Sequence, residues 1–122
     1  MMFPKQPTKK KRLKHCESIL HKKDGTCYLC MMLHDEYRIH KGLHEHKHRT
    51  LHEHHIFGGP TRIHSEEEGL KVYLCPEHHE HGPEAAHKNA DVADILHRIG
   101  QQAFEREYPN LEFREIFGKN YL

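Results

Sequence analysis

Cys27 and Cys30 are separated by two residues, and so are Cys75 and His78. Two ligands three positions apart on a tight turn can both reach one ion, and a second such pair closes a tetrahedron of sulfur and nitrogen around zinc. With all four positions filled by protein, such a site is structural, and its binding energy is folding energy. The competing reading is a reduced C-x2-C with no partner and a Cys75 simply buried beside Leu74. Cys16, the remaining cysteine, matches neither pair and reads as a free thiol.

Histidines are left over once this set is complete. His54 and His55 lie in LHEHHIFGGP, Leu51 to Pro60; His79 directly follows His78, and His87 comes eight residues later. Neighbours on a strand point to opposite faces, and neighbours on a helix diverge by about 100°. Of each adjacent pair, one member is free to bind a metal while the other faces elsewhere. Metal-assisted hydrolysis needs this division of labour: a metal that neutralises developing charge, and a neutral imidazole that takes a proton from water. The competing reading is a histidine-rich surface, since the chain has 16 histidines. LHEH also occurs at 43–46, inside LHEHKHRT at 43–50, but only the second copy runs into a diglycine turn. The first copy therefore reads as a decoy.

The elements that must position these residues are short. The chain has 122 residues, 35% hydrophobic and 30% charged; so thin a core calls for a staple such as a structural metal. The N-terminus has no apolar run of signal-peptide length, and no segment approaches a membrane span. A cytoplasmic chain is expected, where close cysteine pairs favour metal over disulfides. Net charge is only +1, but residues 5–15 hold Lys5, Lys9, Lys10, Lys11, Arg12 and Lys14 and no acid. Residues 1–23 are read as a flexible basic arm that touches nucleic acid, and 24–122 as the folded domain. LHEHHIF and LKVYLC read as strands, GGPTRIHSEEEG as a loop, and Glu84 to Tyr108 as a helix that Gly100 kinks or weakens and Pro109 ends. A short helix is expected in LEFREIFGKNYL.

CYLC, EHHIFGGP, LKVYLCPEHH and GPEAAH, in that order, resemble an HNH (ββα-metal) endonuclease with a treble-cleft zinc knuckle, and most nearly the phage recombination-enhancement, RecA-dependent nuclease group. The resemblance covers roughly residues 24–122. It implies an α+β fold, a β-hairpin whose first strand carries the His-His pair, followed by a helix with the last histidine. It implies that His55 is the general base, that His54 and His79 ligate a catalytic Mg2+ or Mn2+ (or Zn2+ in its place), and that His87 is a further ligand or phosphate contact. Gly58 and Gly59 match the family's loop glycines. The implied substrate is DNA, cut with little sequence specificity, with a recombinase filament as a further partner and Lys9, Lys10, Lys11 and Arg12 as phosphate contacts.

This sequence departs from the family at the middle asparagine, which braces the loop that orients the base. Its place falls near Gly69 or Leu70, and neither is asparagine. The bracing passes to a residue that the sequence does not identify. Two rival classes remain: a zinc-stapled DNA-binding module without chemistry, and a histidine-rich metal buffer.

Overall fold

The computed structural model describes residues 15–32 and 48–122. The basic block Lys9, Lys10, Lys11 and Arg12 and the repeat copy at 43–46 lie outside them. The architecture is α+β, built on a two-stranded antiparallel sheet. Along the chain come α1 (Tyr28–Met32), β1 (His52–His55), a 3-10 turn (Gly59–Thr61), α2 (Arg62–Glu68), β2 (Lys71–Leu74), a π turn (Glu77–His81), α3 (Ala90–Glu107) and α4 (Phe113–Phe117).

The strands pair in the register His52 to Leu74, Glu53 to Tyr73, His54 to Val72 and His55 to Lys71. Alternation along β1 puts His54 on the opposite face from Glu53 and His55. The expected loop at 58–69 is instead mostly helix. Pro60 sits in the 3-10 turn and RIHSEEE continues it as α2, closed by Gly69 at φ 75°. Gly69 is required there twice over. A side chain rarely adopts that backbone conformation, and a Cβ would fall 2.5 Å from the Glu17 carbonyl oxygen. The Gly and Pro signals of a loop serve instead as the start and stop of a helix.

Ser65 of α2 is fully buried and clasps the end of β1. Its Oγ donates to the Phe57 carbonyl at 2.9 Å and accepts from the Phe57 N–H at 3.0 Å. Phe57 then enters an aromatic core with Phe113, Phe117 and Tyr121, ring centroids 4.9–5.2 Å away. α3 covers this core through Val92, Leu96, Gly100, Ala103 and Phe104.

One expectation about α3 needs correction. It begins at Ala90 rather than Glu84, because Asn89 caps it by accepting from the N–H groups of Asp91 and Val92. The helix runs continuously through Gly100 to Glu107. A Cβ at 100 would lie 3.0 Å from both Ile56 Cγ2 and Phe57 Cε2, so the glycine marks a close approach to the end of β1.

Part of the stretch expected as the basic arm, residues 1–23, is among the described residues. The chain from His15 to Lys23 runs along α2 and β2: Cys16 N–H donates to the Glu66 carbonyl, Ile19 N–H to the Gly69 carbonyl, and Ser18 Oγ to the Lys71 carbonyl. Among the described residues, no helix is long and apolar enough to cross a membrane.

Candidate metal centre and cleft

Three segments meet at the cysteines. Cys27 and Cys30 open and line α1, Cys75 follows β2, and His78 sits in the π turn that Pro76 begins. His78 Nδ1 lies 3.6 Å from Cys27 Sγ, 3.4 Å from Cys30 Sγ and 3.6 Å from Cys75 Sγ, and the Cys30 and Cys75 sulfurs are 3.9 Å apart. With Zn–S near 2.3 Å and Zn–N near 2.0–2.1 Å, an ideal tetrahedron has S···N edges of about 3.6 Å and S···S edges of about 3.8 Å. The donors stand at those spacings, so the Cys3His cluster can hold a structural metal such as zinc. The Cys30 and His78 hydrogen bonds hold the Cys27 thiol down at about 3. Its bond to Cys27 and burial push Cys30 up, and burial pushes Cys75 up. Zinc binding to such a set releases the protons that the ligating thiols carry.

His48 adds a contact the spacing did not announce. Its Nε2 is 3.3 Å from Cys30 Sγ, and its backbone N–H donates to the Gly25 carbonyl. An imidazole N–H aimed at a ligating sulfur is the kind of outer contact that tunes a metal–thiolate site. His48 belongs to LHEHKHRT, so part of that stretch serves the cysteine cluster. Cys16 is not part of the cluster.

One residue beyond His78, the chain turns to a different set. His54, His79 and His87 bring one ligand atom each to within 4.8 Å of one another. The π turn sends His78 and His79 in different directions. The following loop folds back, with His87 N–H donating to the His79 carbonyl at 3.2 Å. His79 Nε2 and His87 Nε2 are 3.1 Å apart, within the roughly 3.0–3.4 Å separating adjacent imidazole ligands at about 2.1 Å from one ion. Burial, then the neighbouring His87 and His79, holds His54 down at about 3. Burial, then His87 and His52, also lowers His79. Both are therefore neutral, with lone pairs to offer. Behind them, His52 Nδ1 meets His79 Nδ1 at 2.9 Å. A proton held there on His79 Nδ1 leaves its Nε2 lone pair facing the ligand set, the usual arrangement of an outer partner.

His55 stands apart from the three, on the other face of β1. Its side chain is 8% exposed, and its Nε2–H donates to Glu66 Oε1 at 2.7 Å. Glu66 also accepts from Lys71 Nζ at 3.1 Å and meets His15 Nδ1 at 2.7 Å. Glu53, His55 and Glu66 form a third cluster of potential ligands, but Lys71 Nζ lies 3.2 Å from Glu53 and 3.1 Å from Glu66. The ammonium already supplies the positive charge that these carboxylates would draw.

The two faces rejoin at the end of the strand. A cleft of about 300 Å³ is bordered by His54, His55, Gly58, Arg62, His79 and His87. Gly58 and Gly59 leave open space where side chains would stand, and Gly59 takes φ 56°. An adjoining hollow reaches His97, which stacks on Phe57 at 15° between ring planes. The expected residues His54, His55, His79, His87, Gly58 and Gly59 thus border one cleft. Sequence reading missed Glu66, Arg62, His52 and His48. The first copy of HEH drew attention from His48, and Glu66 and Arg62 sat in a stretch read as loop. Comparison with known proteins adds nothing: no family model matches the chain, and no curated protein or solved structure is significantly similar to it.

Proposed function

We propose that the chain is a metal-dependent DNA endonuclease of the ββα-metal (HNH) type. The observation that carries this reading is the convergence of His54, His79 and His87 beside, but separate from, a complete Cys3His set. A structural zinc needs four ligands, and the chain supplies a further three-imidazole set one residue beyond the last of them. His55, adjacent to His54 in sequence, borders the same cleft.

His54, His79 and His87 would hold a divalent cation, which would supply neutralising charge at a scissile phosphate and its leaving oxygen. The chain's own groups do the rest. His55, its Nε2–H given to Glu66, offers Nδ1 to remove a proton from water. Arg62 stands at the cleft edge to meet a phosphate oxygen. The diglycine turn keeps side chains out of the path of a nucleic-acid backbone. Lys9, Lys10, Lys11 and Arg12 add sequence-independent phosphate binding that weakens with salt. DNA as the substrate, and a recombinase filament as a further partner, rest on the motif resemblance and this basic block.

Nicking of supercoiled plasmid in Mg2+ or Mn2+ tests the reading. His55→Ala should abolish nicking while leaving the circular-dichroism spectrum intact; full activity in that variant removes His55 from the mechanism. The rival is a zinc-stapled DNA-binding module, favoured by the missing asparagine. It predicts one tight zinc per chain, no second divalent site, and no strand scission.

A further inference from the structure

The position that braces the base in HNH proteins is not asparagine here, yet His55 is not left to rotate freely. Its ring is held between the strand and α2, and Nε2 faces a carboxylate oxygen of Glu66 at 2.7 Å. Glu66 is itself fixed. It sits in the middle of α2, is 14% exposed, and its second oxygen accepts from Lys71 Nζ and meets His15 Nδ1. α2 is anchored one residue earlier, where buried Ser65 grips the backbone of Phe57 at both N–H and carbonyl. The carboxylate is therefore held on a rigid element and aimed at one ring nitrogen. Glu53 approaches the same nitrogen only to 4.0 Å, too far for a hydrogen bond.

We propose that Glu66 is the positioning residue of His55: it fixes the Nε2–H tautomer and ring orientation, so that the Nδ1 lone pair is presented to the cleft. The chemistry is that of a carboxylate paired to an imidazole base, where the carboxylate accepts from one nitrogen and the other does the proton transfer. Glu66 touches neither water nor phosphate in this role. The role rests on the nuclease reading for its purpose, but the His55–Glu66 bond can be tested without any activity.

The first measurement is a long-range 1H–15N NMR spectrum of the zinc-loaded full chain at about pH 8, well above the ordinary histidine value near 6.5. His55 should appear as a single Nε2–H tautomer; a mixture, or Nδ1–H, overturns the proposal before any variant is made. In Glu66→Ala the tautomers should mix, and kcat for plasmid nicking should fall about 10- to 100-fold with KM within about threefold. An unchanged Nε2–H form in Glu66→Ala overturns the proposal, and so does a loss confined to KM. Glu66→Gln is the variant for the case in which Glu66→Ala does not fold. Its amide oxygen still accepts from Nε2–H, so it should keep the tautomer and lose less of kcat than Glu66→Ala; a tautomer switch there overturns the proposal. A chain that cuts no DNA yet shows a Glu66-dependent tautomer keeps this assignment and removes the nuclease reading.

Discussion

Removing the metal from the Cys3His cluster should unfold the protein, and the geometry lets the size of the effect be worked out. The cluster ties α1, the end of β2 and the π turn at one point, and Cys27, Cys30 and Cys75 are themselves core residues packed with Leu29 and Leu74. The S···N spacings of 3.4–3.6 Å mean that little reorganisation precedes binding. Structural zinc binds such sites with about 10–16 kcal/mol at neutral pH, whereas a domain of this size has roughly 5–15 kcal/mol of net stability in all. The metal term thus matches or exceeds the total, and the apo chain should not hold its fold. The assay is titration with a chelator, following metal release colorimetrically beside far- and near-UV circular dichroism. One equivalent should leave together with the near-UV signal, in one cooperative step. Conversely, raising free zinc from about its Kd to about 1,000 times Kd should add about 4 kcal/mol, on the order of 10–20 °C in Tm. Stoichiometric metal loss with an unchanged spectrum and Tm would refute the reasoning, because the cluster would then be an ornament on a self-sufficient core.

Four further outcomes are expected. Ser65→Ala leaves the buried N–H and carbonyl of Phe57 without their side-chain partner, and should cost about 1–3 kcal/mol in urea unfolding. Gly100→Ala gains about 1 kcal/mol of helix propensity but presses a methyl to 3.0 Å from Ile56 and Phe57; with overpacking costing about 1–3 kcal/mol, thermal denaturation should show a net loss. Burial works to raise the Glu66 carboxyl, but hydrogen bonds from His55, His15 and Lys71 outweigh it and hold the group down at about 2. Its stabilisation is complete above the ordinary 4.5 and lost as pH falls toward 2, so the Glu66 carboxyl carbon should still report an ionised group at pH 4 by NMR; a midpoint near 4.5 contradicts this. Arg62→Ala should weaken DNA binding and lower the magnitude of the salt slope by about 0.9, the share of one phosphate contact, in a titration of affinity against salt.

The most legible parts of this chain were those whose chemistry is local. C-x2-C and C-x2-H each place two donors on one turn, so their spacing alone pointed to a shared ion, and the four donors do converge. Strand alternation put His54 and His55 on opposite faces, because a period of two admits no other outcome. The stretch 58–69 reads as a loop because Gly and Pro punctuate loops and bound helices alike. What distinguishes the cases is whether Ser65 finds the backbone of Phe57, a contact made only in three dimensions. The start of α3 moved to Ala90 for a similar reason: the alanine pattern continues upstream, but the Asn89 side chain caps the helix there.

By itself, then, the sequence determined the donor types, their pairing into a Cys3His set, and the opposite facing of His54 and His55. These follow from covalent spacing and backbone period. Only the tertiary structure decided that His87 returns to His79 across the loop, that His48 reaches Cys30, and that Glu66 meets His55. Those partners are 8, 18 and 11 residues apart in sequence. Local spacing does not announce contacts at such separations; they meet only where the packed core and the paired strands bring their segments together.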